Sequence, residues 1–183
     1  DDAILCEVLE ACPIGAAILA QVDGRRMFVN SALVTIMGAA SRDALLRDSI
    51  DNTWVDKSRL SEAWAAFQDK RQLTNFEAER IRLTGERWWV LMNTQPITFN
   101  GEAAGIVWHI DITARKQAEK ARMVGENRLK EAVEGLSEAF ALFDPDDKLV
   151  FCNRMFRSLN PELAKIIHPN MTFEDMLRDN LKH

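Results

Sequence analysis

The string Leu149-Val150-Phe151-Cys152-Asn153 echoes Arg26-Met27-Phe28-Val29-Asn30. Residues 139–143 echo residues 15–19 in the same order, and Val133-Glu134 echoes Leu9-Glu10. Asn30 and Asn153 are 123 positions apart and Leu9 and Val133 are 124, so a single gap aligns the two copies. Solenoid repeats run to roughly 20–45 residues, so this longer period points to tandem domains. The first copy is expected to be complete over residues 13–113, and the second, over residues 136–183, stops before any counterpart of the first copy's last three extended segments.

The first copy reads as an α+β domain. Ile4, Leu5, Val8, Leu9 and Cys12 recur at helical spacing ahead of Pro13, which predicts an amphipathic helix over residues 1–12. Residues 16–22, a turn at Asp23-Gly24 and then Met27-Phe28-Val29 form a predicted hairpin, and Asn30 is a good cap for a short helix carrying Leu33, Ile36 and Met37. Leu60, Ala63, Trp64 and Phe67 give a second helical stripe. Residues 73–112 then become three extended segments, split by Thr84-Gly85 and Asn100-Gly101. Five strands with the helices gathered between the second and third predict one antiparallel sheet with helices on one face.

Residues 114–135 change character. With Thr113, this stretch holds six basic and four acidic residues and no proline, the composition of a long exposed helix. Ala118, Ala121, Leu129, Val133 and Leu136 sketch a seam that Arg122, Gly125 and Glu126 interrupt, and Gly125 alone costs about 1 kcal/mol relative to alanine.

The 183 residues carry a net charge of −5, which argues against a nucleic-acid partner because phosphate binding needs concentrated positive charge. No apolar run approaches the roughly 20 residues of a membrane span. Three cysteines with no CxxC pair, Cys6, Cys12 and Cys152, read as reduced thiols of a cytoplasmic protein, with no metal site.

Several short strings, in order, resemble the PAS superfamily of bacterial signalling modules. They are Pro13-Ile14-Gly15, Phe28-Val29-Asn30, Phe76-Glu77-Ala78-Glu79-Arg80, Gly85-Glu86-Arg87-Trp88, Pro96-Ile97 and Asp111-Ile112-Thr113-Ala114-Arg115-Lys116, spanning residues 9–116. Residues 133–160 repeat the opening of the pattern. The resemblance implies the PAS fold, a ligand cavity beneath its sheet, and a signalling helix that passes strain to a downstream effector domain, often a histidine kinase. The stretch itself has no P-loop, no phosphoacceptor histidine box and no glycine-rich ATP lid, so it is not expected to be an enzyme and has no candidate catalytic residue.

The candidate sites divide into three groups. Asp111 and Thr113, where the last strand becomes the helix, are expected to accept from its free first-turn N–H groups, with Asp111 pairing with Arg115 or Lys116 to couple sheet to helix. Strand alternation puts Val107 and His109 on the face that the resemblance turns toward the cavity, joined by Trp88, Val90 and Met92 as pocket candidates. His109 reads either as a ligand contact or as a core histidine bonded to a neighbouring strand or to Asp111, and the apolar candidates read equally as core. Trp89, Leu91, Ile106, Trp108 and Ile110 form an outer apolar face, which Ile4, Leu5, Val8 and Leu9 would cover from the same chain or from the partner in a homodimer.

The cofactor is unknown. Residues 40–70 hold no cysteine and Val90 stands where an amide would anchor a flavin, which argues against a LOV-type adduct; residues 56–70 hold no histidine, which argues against helix-ligated haem. The sequence thus supports a sensor of a small ligand or partner that relays through its C-terminal helix. The alternatives are a ligand-free scaffold for dimerisation and a haem- or flavin-bearing redox or gas sensor using His109. Residues 136–183 are expected to leave Phe140, Leu142, Phe143, Phe151 and Phe156 uncovered and to swap, pack on a neighbour or trail off as an irregular helical tail.

Overall fold

The computed structural model describes residues 2–69, 72–168 and 171–180. Two compact units divide at residues 118 and 119, and each is described by itself.

In the first unit the helix α1 (Asp2–Glu10) leads into β1 (Gly15–Ala20) and β2 (Arg26–Val29). A helical layer follows: α2 (Ser31–Met37), α3 (Arg42–Arg47), a 3-10 turn (Ile50–Thr53) and α4 (Lys57–Gln68). Then come β3 (Phe76–Ile81), β4 (Arg87–Phe99) and β5 (Glu102–Asp111), and α5 (Thr113–Glu134) leaves the sheet. The five strands form one antiparallel sheet in the order β2-β1-β5-β4-β3, so the first strand lies against the last.

Alternation decides which side chains meet the helical layer. Along β3 the inward set is Phe76, Ala78 and Arg80, and along β4 it is Trp88, Val90, Met92 and Thr94. The apolar members of this set pack with Val107, Leu33, Met37, Leu45, Trp54 and Ala63 into the main core. Burying a side chain of this size contributes roughly 1.5–3 kcal/mol, so this cluster carries most of the unit's stability.

Asn30 ties the opening together and is fully buried. Its Oδ1 accepts from the N–H groups of Leu33 and Ala16, each at 2.9 Å, so it caps α2 and holds β1 at once. Its Nδ2 donates to the carbonyls of Leu9, Cys12 and Ile14 at 2.9, 3.3 and 2.8 Å.

On the opposite face α1 packs Leu5, Cys6 and Leu9 against Ala16, Ile18, Phe99 and Ile106. Ile4 and Val8 are 60% and 62% exposed, which corrects the expectation of one covering stripe. Positions 4 and 8 form one ridge and positions 5 and 9 the next, about 100° around the helix, and only the second meets the sheet. Trp89, Leu91, Trp108 and Ile110 stay half-buried on this face.

The second unit repeats the opening of the first. A hairpin of β6 (Ala141–Phe143) and β7 (Leu149–Cys152) is followed by α6 (Arg154–Leu159), α7 (Pro161–Ile166) and α8 (Phe173–Asn180). Asn153 reproduces the Asn30 arrangement: Oδ1 accepts from Phe140 and Phe156 N–H, and Nδ2 donates to the carbonyls of Val133 and Glu138. A small core of Leu149, Cys152, Leu163, Met171 and Met176 gathers Phe143 and Phe156 against it, so among the described residues the stretch forms a hairpin and three helices, which removes the irregular tail from the three expected outcomes. Phe140 and Leu142 do remain exposed and Phe151 is half-covered. None of the described α5 side chains is buried.

Candidate functional site

Beneath the sheet of the first unit lies a cavity of about 60 Å³. Its roof is the inward face of four strands: Ala17 and Leu19 from β1, Arg26 from β2, Met92 and Thr94 from β4, and Val107 and His109 from β5. Arg80 of β3 closes one side, and Ile50, Trp54, Leu60, Ala63, Trp64 and Phe67 from the helical layer form the floor. Phe67 lies so close to the sheet that a Cβ at position 105 would sit 2.4 Å from its ring, so any larger residue there must displace the ring. Trp64 stacks on Phe67 at 5.6 Å and completes the aromatic floor.

Three of the five pocket candidates, Met92, Val107 and His109, line this cavity; Trp88 and Val90 lie in the core cluster beside it. His109 Nδ1 is 3.1 Å from the Val107 carbonyl of its own strand, so the ring is tied to backbone and not to Asp111. Burial, then the Arg80 and Arg26 charges, push its pKa down to about 3, which leaves the imidazole neutral at pH 7.

Two arginines that the sequence reading left aside give the cavity its charge. Arg80 is buried, with Nε donating to the Thr53 carbonyl at 2.9 Å, one terminal nitrogen bonded to the Thr53 hydroxyl and the other 3.6 Å from Met92 Sδ. Its guanidinium lies 4.5 Å over the Trp54 ring. Burial and then Arg26 push its pKa down to about 9, so it remains a cation at pH 7. Arg26 donates to the carbonyls of Leu45 and Asp48, with the Asp48 carboxylate offsetting its charge. The signal for Arg80 was present in the sequence, because it falls in phase with Phe76 and Ala78 on the inward side of β3.

A second constellation lies where β5 becomes α5. Asp111 Oδ1 accepts from the Thr113 N–H at 2.9 Å, as expected for a cap, and Oδ2 takes Arg82 at 2.6 Å. The expected pairing of Asp111 with Arg115 or Lys116 is replaced: both cations turn to Glu77 on β3, Lys116 at 2.6 Å. The reason is geometric, since residues 115 and 116 project from the first turn toward β3 while Asp111 faces the β3–β4 turn. Burial would raise the Asp111 pKa, but the Thr113 bonds and then Arg82 outweigh it and hold the carboxyl below its ordinary range. The Thr113 hydroxyl accepts from the Trp89 N–H at 3.0 Å and not from its own helix, and Lys116 lies 5.2 Å over the Trp89 ring.

Arg82 also reaches the helical layer, donating to the Ile36 carbonyl, while Leu83 N–H donates to the Met37 carbonyl at 2.9 Å. The end of α2, the β3–β4 turn and the start of α5 are therefore bonded in series.

Among the described residues no cluster of three or more His, Cys, Asp or Glu side chains is placed to hold a metal ion, and no helix is long and apolar enough to cross a membrane. None of the three cysteines lines the cavity.

A family model for the PAS domain matches residues 14–114, and a second PAS domain model matches residues 127–159. The chain is 39% identical over 69 residues to the non-motile and phage-resistance protein of Caulobacter vibrioides, a stretch that is 38% of this chain and 8% of that protein. Among solved structures, an RNA-binding light-oxygen-voltage receptor is similar with a TM-score of 0.55 and 16% identity, over 68% of this chain and 37% of that one. A PAS domain from a two-component sensor histidine kinase is similar with a TM-score of 0.51 and 16% identity, over 60% of this chain and 94% of that one. At these identities the structural likeness speaks to the fold alone.

Proposed function

This chain belongs to the PAS domain family, whose members are sensory modules of signalling proteins, and on that premise we propose that its first unit senses a small ligand and relays occupancy of the cavity through α5 to an effector. The observation that carries this reading is Arg82, which bonds the end of α2 on one side and Asp111 at the root of α5 on the other. A ligand that shifts the helical layer would pull on Arg82 and through it on the first turn of α5. The unit carries no catalytic step of its own, and the effector we assign is a sensor histidine kinase acting in the cytoplasm, where the unpaired thiols of Cys6, Cys12 and Cys152 would stay reduced.

The relay is tested by disturbing α2 at a distance. Gly38 caps α2 at φ 61°, where an alanine Cβ would meet Thr84 at 2.7 Å, so Gly38→Ala strains the turn that holds Arg82. Hydrogen exchange at residues 113–118 should rise in Gly38→Ala, whereas Gly38→Ala added to Arg82→Gln should raise it no further than Arg82→Gln alone. An equal rise with and without Arg82 would sink the relay.

A second reading, a ligand-free scaffold that dimerises through the outer face, draws on the exposed ridge of Ile4 and Val8 beside half-buried Trp89, Leu91, Trp108 and Ile110. Val8→Glu, at a position 62% exposed, should halve the mass seen by light scattering; an unchanged mass rejects a dimer formed there.

A further inference from the structure

We propose that the cavity beneath the sheet receives a small aliphatic carboxylate of two to four carbons, with Arg80 as its charge partner. This rests on the sensory reading above and gives the ligand a chemical class. The cavity lining contains two guanidiniums and no aspartate or glutamate. Arg26 has the Asp48 carboxylate nearby, whereas Arg80 has no carboxylate partner among the described residues.

A buried cation without a counter-charge is costly, and a fold that retains one at a cavity wall is arranged for an anion to arrive there. The guanidinium is also held in place for the task. Thr53 fixes two of its five N–H groups and the soft Met92 sulfur takes a third weakly, which leaves donors for a carboxylate fork.

The remaining lining sets the rest of the ligand. Beside Arg26, Arg80, Thr94 and His109 the lining is aliphatic and aromatic, Leu19, Leu60, Phe67 and Val107 among it, which favours a short hydrocarbon end. A volume of about 60 Å³ is room for about four waters, the size of a short-chain acid. Arg26, Ile50, Leu60 and Trp64 line both the cavity and a surface groove outside it, where Arg25, Arg26 and Arg47 are matched by Asp23, Asp48 and Asp51, so the groove is a route in while the charge that selects an anion lies at Arg80.

The test compares sodium propionate, its neutral isostere propionamide and sodium phosphate against the full chain, reading the thermal midpoint and quenching of Trp54 and Trp64. Propionate should raise the midpoint by about 4 °C at tenfold its dissociation constant and bind at least about tenfold more tightly than propionamide. Arg80→Met should abolish the propionate shift; it removes a buried charge together with the bonds to Thr53, so the propionate-induced shift, and not the variant's own midpoint, is the readout. The wild-type comparison of acid with amide needs no variant to fold.

No propionate shift, an equal shift with propionamide, or a shift with phosphate alone each overturns the assignment. Hydrogen exchange at residues 113–118 separates this from the relay. A propionate shift that leaves those amides unchanged supports the anion site and sinks the relay, and absence of any shift sinks the anion site while the Gly38 experiment still stands.

Discussion

Replacing Asn30 by aspartate changes one NH2 group into one oxygen, and the structure makes the consequence calculable. Oδ1 would still cap α2 and accept from Ala16, so two bonds survive. The other oxygen would face the carbonyls of Leu9, Cys12 and Ile14, which only accept. The NH2 group has two hydrogens to share among these three acceptors, so two donated bonds are lost, at about 2 kcal/mol. Ionising a buried carboxyl among carbonyls raises its folded pKa by about three units, a further cost of about 4 kcal/mol at pH 7.

The sign follows from proton binding. A folded pKa above the unfolded value of about 3.9 means the native state holds the proton more tightly, so stability is full below pH 4 and falls by about 1.4 kcal/mol per unit above it until the folded carboxyl ionises. Asn30→Asp should therefore lose about 6 kcal/mol at pH 7 and about 2 kcal/mol near pH 4, whereas Asn30→Ala should lose about 4 kcal/mol at both. Urea unfolding followed by tryptophan fluorescence is the assay, and all five tryptophans lie before residue 109, so the signal reports the first unit alone. An aspartate variant that is milder than alanine at pH 7, or whose deficit is flat with pH, would refute the argument.

The same logic with opposite sense applies to His109. Its folded pKa of about 3 lies below the unfolded 6.5, so wild-type stability should fall by about 1.4 kcal/mol per unit as pH drops below 6.5, and His109→Gln should flatten that slope. A slope unchanged in the glutamine variant would show that other groups set the acid limit. Gly105→Ala should cost about 1–3 kcal/mol in urea by pushing the Phe67 ring into the cavity, where a Cβ would otherwise sit 2.4 Å from it. A variant as stable as wild type would show that the ring has somewhere else to go.

Local patterns made most of the fold legible. Alternation along β4 and β5 separated inward Met92, Val107 and His109 from outward Trp89, Leu91 and Trp108, because a strand has only two faces. Asn30 was readable as a cap, a three-residue relation, but its grip on Leu9, Cys12 and Ile14 depends on where α1 comes to rest. Asp111 misled for a related reason: Arg115 and Lys116 are near in sequence, but the partner is Arg82, 29 residues back across a hairpin. Arg80 was hidden by its chemistry, since a charge in an apolar phase reads as an exception until Thr53 and Trp54 are seen to meet it. The exposed Ile4 and Val8 could not be told from Leu5 and Leu9 because hydropathy does not say which ridge of a helix finds the sheet.

The twin asparagines also make the chain separable at defined joints. What Asn30 and Asn153 grasp is main chain, the carbonyls of Leu9 and Ile14 in one case and of Val133 and Glu138 in the other, so each works as a socket indifferent to the side chains of the plug. The apolar-ridged α1 and the charged α5 satisfy the same fitting, each ending in a glutamate, Glu10 or Glu134, that pairs with an arginine of its own unit. Helices of quite different composition therefore meet the same main-chain fitting at the opening of each unit.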